Sequence, residues 1–290
     1  MTFKTNLETF RCPVLAGFSV VEVQGRDAAA FLQSQAMNDV AALAPGRWQW
    51  NGLLTAKGRV MALFALVCVA PGQFLLVLPD LAGADLVAHL QRFVFRSKVS
   101  MRDAPGLVAA AGPAAATSDV GAIAGDPDHG FALDFSAQGG QRWLWLLPPS
   151  HPALTSPDTA TDEAWRALDI AHGLPRLAAE QREAYTPQML SLERLGAFSL
   201  KKGCYPGQEI VARTHYLGQA KRVLARLRGV GLLPGQAVEA AGQSVGSLAC
   251  TGADGTQALA VLAAESGDLL TCGGHPCARE TLLPGLARPG

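Results

Sequence analysis

The stretch WQWNGLLTAKGRVMALFALVCVAPGQFLLVLP, residues 48–79, is read as consecutive β-strands joined by tight turns, and this decides the fold class. Asn51-Gly52 and Pro71-Gly72 are the expected turns, with Lys57-Gly58 a third. Its apolar run, residues 60–70, is about half the length a membrane helix needs. Upstream, GFSVVEVQG (17–25) reads as a strand. RDAAAFLQSQAMNDVAAL (26–43) reads as a helix, with Ala29, Leu32, Ala36 and Val40 recurring at helical steps and Asp27 near its start. Downstream, a helix is expected from residue 81 to about 95, with Leu86, Leu90 and Phe93 on one face, then a strand near 98–101. Strand, helix, hairpins, helix, strand is the rhythm of an α+β layer, and hairpins in place of crossovers argue against a doubly wound sheet.

Residues 109–125 are rich in alanine and glycine and carry no assignable period. WLWLLP (143–148) is a strand and HPALTSPDTATDE (151–163) is loop-like. A helix over 164–172 follows, ended by Gly173 and Pro175. Beyond Tyr216, short β-like pieces alternate with glycine and proline turns, the texture of a small barrel or sandwich. The expected organisation is therefore an α+β region over 1–216, in two subdomains dividing near 103–125, and a β-barrel over 217–290.

The chain has 290 residues, 49% hydrophobic and 17% charged, with 24 basic and 24 acidic side chains. Such a neutral, apolar composition describes a packed globular protein and gives no strong direct nucleic-acid signal. The N-terminal stretch lacks the form of a signal peptide, and no membrane span is present, so a cytoplasmic location is expected. Six cysteines, at 12, 68, 204, 250, 272 and 277, are irregularly spaced for a disulfide scaffold. Cys272, His275 and Cys277 form a weak zinc-like cluster with no second pair, and are read as incidental to a turn.

The other informative stretch is KKGCYPGQEIVAR, residues 201–213. Tyr205-Pro206-Gly207-Gln208 fits a type II turn, with proline at its second position and glycine at its third. If the following segment is helical, Cys204 lies just ahead of its positive end and near Lys201 and Lys202, each of which favours thiolate. An activated cysteine and a purely conformational turn both satisfy this pattern. A cysteine-protease reading has only His215 as a nearby base and no supporting signature. Phosphate-loop, dinucleotide, zinc-protease and nucleophile-elbow motifs are absent.

FSLKKGCYPGQEIVAR closely resembles the K-G-C-Y-x-G-Q-E signature of the YgfZ family, folate-binding relatives of the glycine-cleavage aminomethyltransferase. GRDAAAFLQSQAMNDV, GLLTAKGRVMA, RFVFRSKV, LDIAHGLPRL and YTPQMLSLERLGAFSLKKG support the resemblance in order along the chain. It implies a three-domain ring: two ferredoxin-like, folate-binding-type α+β layers and a small C-terminal β-barrel. The implied ligand is tetrahydrofolate or a one-carbon-substituted folate. The implied role is support of iron–sulfur enzymes or cluster-assembly proteins, with an indirect effect on tRNA modification.

By the same resemblance Cys204 and Lys202 carry the chemistry, and Gln35, Asp39, Tyr205, Gln208 and Glu209 are candidate folate contacts. Arg59 and Arg96 could meet a folate's glutamate tail, or be ordinary surface arginines. Trp48 and Trp50 could flank the pocket, or place one ring in the core and one outside. Gln208 and Glu209 could simply cap the next segment. Three departures stand out: Ser34 and Met37 replace glycine and threonine of the family pattern, and Asp169 stands where an arginine is usual. In the aminomethyltransferases a pterin-holding glutamate falls at Ala171, and alanine cannot make those hydrogen bonds. Aminomethyl transfer and a non-catalytic folate-sensing adaptor are the alternatives.

Overall fold

A computed structural model describes residues 10–104, 106–117, 119–218 and 220–288. Residues 1–9 of the N-terminal stretch read above for a signal peptide lie outside these residues. No helix among the described residues is long and apolar enough to cross a membrane.

The first layer is a five-stranded antiparallel sheet, in the order β3 (Arg47–Leu54), β4 (Val60–Ala70), β5 (Gln73–Pro79), β2 (Phe18–Gln24), β6 (Ser100–Asp103). Helices α1 (Ala28–Gln35) and α2 (Gly83–Gln91) cover one face. Strand side chains alternate between faces. Thus Ala62, Phe64, Leu66 and Cys68 of β4 meet the helices, while Leu63, Ala65 and Val67 enter a second, central core. Burial on both faces explains the unbroken apolar run.

Several expectations are corrected here. Asn51-Gly52 is not a turn but lies inside β3, where Gly52 is opposite Leu63. The β3–β4 reversal falls at Lys57-Gly58, with Gly58 at φ +68°. Helix α1 stops at Gln35, because Ala36 turns extended and bridges to Leu53. Helix α2 is shorter than the 81–95 expected, and the next strand starts at Ser100. Trp48 and Trp50 are both in the core: residues two apart on a strand share a face, and the rings meet edge-on at 5.3 Å.

The alanine-rich run contains β7 (Val108–Gly112) and β8 (Ile123–Asp126). With β9 (Gly130–Asp134) and β10 (Trp143–Leu147) they form a second antiparallel sheet, ordered β7-β10-β9-β8. A short parallel pair, β1 (Cys12–Pro13) and β11 (Leu154–Thr155), lies beside it. Helix α3 (Thr159–Ala171) begins earlier than residue 164 because the Asp158 carboxylate caps the Thr161 amide at 3.0 Å. Gly173 ends the chain reversal after it at φ +68°. Helix α4 (Gln208–Leu217) precedes a closed six-stranded barrel formed by β12 (Arg222–Arg228), β13 (Ala237–Ala240), β14 (Gln243–Thr251), β15 (Gln257–Ala263), β16 (Leu270–Cys272) and β17 (His275–Glu280). Cys272 and Cys277 are buried in that barrel on either side of a Gly273-Gly274 turn. Among the described residues no group of three or more metal-ligating side chains is gathered.

All three bodies share the central core. Phe135 of the second layer stacks on Trp48 at 5.0 Å and meets Trp50 at 5.1 Å and Trp165 of α3 at 5.7 Å. Leu224, Leu259 and Val261 of the barrel pack into the same cluster. The C-terminal tail crosses it: Trp50 Nε1 donates to the Leu286 carbonyl at 2.8 Å, and the Arg288 guanidinium lies 5.2 Å from the Trp48 ring centre.

Asp169, expected only as the loss of a cation, instead holds two. Its carboxylate receives Arg142 at 2.5 Å and Arg176 at 2.8 Å, all three side chains being buried. Arg176 also reaches Asp80, at the end of β5. Asp169→Ala leaves two guanidinium groups underpartnered in the interior and is expected to lower unfolding free energy by about 3–5 kcal/mol, read from urea denaturation.

Candidate functional site

The signature loop is a closed turn. The Gln208 amide donates to the Tyr205 carbonyl at 3.2 Å, and Gly207 adopts φ 78°, ψ 0°, the third-position geometry of a type II turn. A Cβ on Gly207 would stand 2.5 Å from the Thr55 carbonyl and 2.7 Å from Gly58 Cα. The signature loop is therefore seated directly on the β3–β4 turn, backbone against backbone, and glycine is required at both contact points. Gln208 Nε2 donates back to the Lys202 carbonyl at 3.2 Å, while Glu209 is exposed in the first turn of α4.

Lys202 is buried. Its ammonium donates to the carbonyls of Gln33 (2.6 Å), Ala36 (2.5 Å) and Asn38 (3.1 Å), and lies 5.0 Å from the Tyr205 ring centre. These carbonyls are at the C-terminal end of α1, where the helix dipole is negative. The Lys202 charge is thus held by hydrogen bonds at the end of α1. Cys204 itself is exposed, three residues before the Gly207 cap of α4. Burial raises the Tyr205 hydroxyl to about 12, and it donates to the Ser199 carbonyl at 3.4 Å.

Beside this loop is a cleft of about 640 Å³, walled by Asn38, Gln188, Glu193, Phe198, 199–201, Thr214, His215, Gly218 and Ala220. Gln188 is 7% exposed; its Nε2 donates to the Val211 carbonyl at 2.8 Å, and its Oε1 is buried with no protein partner. Glu193 is solvent-facing, yet the wall desolvates its carboxyl enough to raise it above the ordinary carboxylate range. Asn38 is buried and spans Trp50 and Gly196 through their carbonyls. The cleft wall thus carries a carboxyl and an aromatic ring, with an unpartnered amide oxygen enclosed just behind it, a set complementary to a flat heterocycle bearing N–H donors.

The predicted contacts gather only in part. Lys202, Cys204, Tyr205, Gln208 and Glu209 lie in one loop and the first turn of α4. Asp39 binds Gln33 Nε2 at 3.0 Å and caps the amides that follow it, and Gln35 bonds its neighbour Ser34. Arg59 reaches the Ala184 carbonyl and Met189 Sδ, and Arg96 lies over the Phe95 ring at 5.2 Å. None of Gln35, Asp39, Arg59 or Arg96 is on the cleft wall. Gln188, Glu193 and Phe198 were missed, although YTPQMLSLERLGAFSL contains all three. Ala171 is buried and its carbonyl accepts the Leu283 amide at 2.8 Å, so the tail covers this position.

The three-body architecture is that of the aminomethyltransferases. The glycine cleavage system aminomethyltransferase T from Bartonella henselae superposes with a TM-score of 0.72 over 97% of this chain and 89% of that one, at 15% sequence identity. Residues 15–118 match the GCVT N-terminal domain. The tRNA-modifying protein YgfZ of Vibrio vulnificus is 30% identical over 229 residues, 74% of this chain and 69% of that protein. An uncharacterized protein of Haemophilus influenzae is 33% identical over 214 residues, 72% and 70% of the two chains. The chain belongs to the YgfZ family.

Burial lowers the Lys202 ammonium from its ordinary value of 10.5 to about 8. Between those values the unfolded chain holds a proton that the folded chain has released, so unfolding takes one up and stability climbs with pH. Relative to Lys202→Met, the wild type is therefore expected to gain stability as pH rises from about 8 toward 10, on the order of 1–3 kcal/mol, measured by denaturant titrations of both proteins at matched pH.

Proposed function

We infer that this protein is a folate-binding factor that supports assembly or repair of iron–sulfur proteins, and through them tRNA modification, with Cys204 as its functional thiol. The observation that carries the reading is the pairing of an exposed cysteine with a cleft whose buried Gln188 Oε1 has no protein partner. Lys201 lines the cleft, and Cys204 is three residues further on, so at most about 11 Å of chain separates them. The Vibrio relatives' name, tRNA-modifying protein, supports the biological setting.

A tetrahydrofolate head group fits this donor set. Its amino group and ring N–H would meet the Glu193 carboxylate and, once the wall opens onto it, Gln188 Oε1, and its flat ring would lie against Phe198. When bound, it supplies either a one-carbon unit or a gate over the cleft. The chain's own contribution is to hold the ring, exclude water on the Phe198 side and keep the thiol at the mouth. Aminomethyl transfer is disfavoured by Ala171, which has no acid and whose carbonyl is taken by the tail.

Gln188→Leu is expected to weaken tetrahydrofolate binding about two- to tenfold, the worth of one hydrogen bond, in a fluorescence titration. In a variant retaining Cys204 alone among the cysteines, alkylation by iodoacetamide is expected to slow when tetrahydrofolate is added. Equal alkylation rates with and without folate, together with a Cys204→Ser protein that still supports iron–sulfur enzymes in cells, would replace the thiol role by that of a folate-sensing adaptor.

A further inference from the structure

The loop after α2 reads QRFVFRSK, residues 91–98, and inverts the usual ordering of apolar side chains. Of the consecutive Phe93, Val94 and Phe95, the smallest packs against the helix-side core. The two aromatics face outward, Phe93 at 43% and Phe95 at 85% exposure. Leaving such a ring in water forgoes the gain of burying it. The loop is not loose: the amides of Arg92, Phe93 and Val94 each bond back into the last turn of α2, and Asp27 accepts the Lys98 amide at 2.7 Å.

Cations surround the rings. Arg96 lies 5.2 Å from the Phe95 ring centre and Arg92 5.9 Å from that of Phe93. Lys98 follows in the same loop, and its amide donates to Asp27, which also pairs with Arg26. The chain as a whole is neutral, so this concentration of positive charge is local. Exposed aromatic faces between guanidinium groups match what unpaired nucleotides offer: a flat base for the ring and a phosphate for the cation. An acidic peptide would use the cations and leave the rings bare. An anionic membrane would need more apolar depth than two rings supply, and one face of Phe95 is already capped by Arg96.

We propose that residues 92–98, presented by the end of α2, form a docking platform for unpaired RNA, with Phe95 stacking on a base and Arg92, Arg96 and Lys98 holding phosphates. The choice of RNA over single-stranded DNA rests on the relatives' name, tRNA-modifying protein, and makes direct a contact that the proposed function reaches only through iron–sulfur enzymes; the platform itself uses neither Cys204 nor the folate cleft.

Fluorescence anisotropy with a labelled single-stranded oligoribonucleotide, at about 50 mM salt, tests this directly. Binding is expected to weaken at least several-fold toward about 200 mM salt. Phe95→Ala and Phe95→Leu are expected to cost about five- to a hundredfold, and Phe95→Trp to preserve affinity. Arg92→Glu with Arg96→Glu is expected to abolish it. All are surface changes, and an unchanged thermal unfolding midpoint establishes that they fold. Cys204→Ser is expected to bind RNA normally, which separates failure here from failure of the folate reading. Three results would overturn the proposal: no binding by the wild type, equal affinity for DNA of the same sequence, or loss of Phe95 that weakens binding to phosphatidylglycerol vesicles but not to RNA.

Discussion

Burial of the first sheet on both faces is the constraint on which the rest of the molecule depends. From Ala62 to Cys68, strand β4 gives its even-numbered side chains to α1 and α2 and its odd-numbered ones to the central core. A sheet used this way cannot have a solvent face, so the second layer, the barrel and α3 must all be built against it. The aromatic contacts of Trp48, Trp50, Phe135 and Trp165 fill that junction. Around them, buried charge is kept in a chain of paired groups from Arg142 through Asp169 and Arg176 to Asp80. The same sheet positions the site, since the signature loop rests on the β3–β4 turn at Gly58 and Gly207.

The signature's lysine and cysteine, neighbours but one in sequence, serve different ends. Lys202 closes the C-terminal end of α1 by satisfying the Gln33 and Ala36 carbonyls, which the helix leaves free, and also bonds the Asn38 carbonyl just beyond. With that side chain drawn inward, the chain turns through Gly203 and leaves Cys204 outside. The lysine thus ties the segment just before the cysteine to α1, and its charge faces the negative end of that helix.

What could be read from the sequence followed the range of the interactions responsible. Strand alternation, the type II turn at Tyr205-Pro206-Gly207-Gln208 and the change of texture before the barrel are local, and each is present in the structure. The Asn51-Gly52 turn was misread because its dipeptide chemistry is local while the pairing of Gly52 with Leu63 is not. The end of α1 was misplaced for the same reason: Lys202 stabilises Ala36 and Asn38 from far along the chain. The cleft was illegible as a cleft, since Asn38, Gln188, Phe198 and His215 come together only after folding, and an unpartnered amide oxygen has no sequence signature.

Helix α1 connects these observations. Its eight residues span about 12 Å. At one end the Asp27 carboxylate, lowered mainly by its bond from the Lys98 backbone, anchors the loop that carries Phe95 and Arg96. At the other end Lys202 anchors the loop that carries Cys204. A carboxylate at the positive end of a helix and an ammonium at the negative end both complement its dipole. The two anchor points are therefore held at a fixed spacing by one rigid element backed by the sheet.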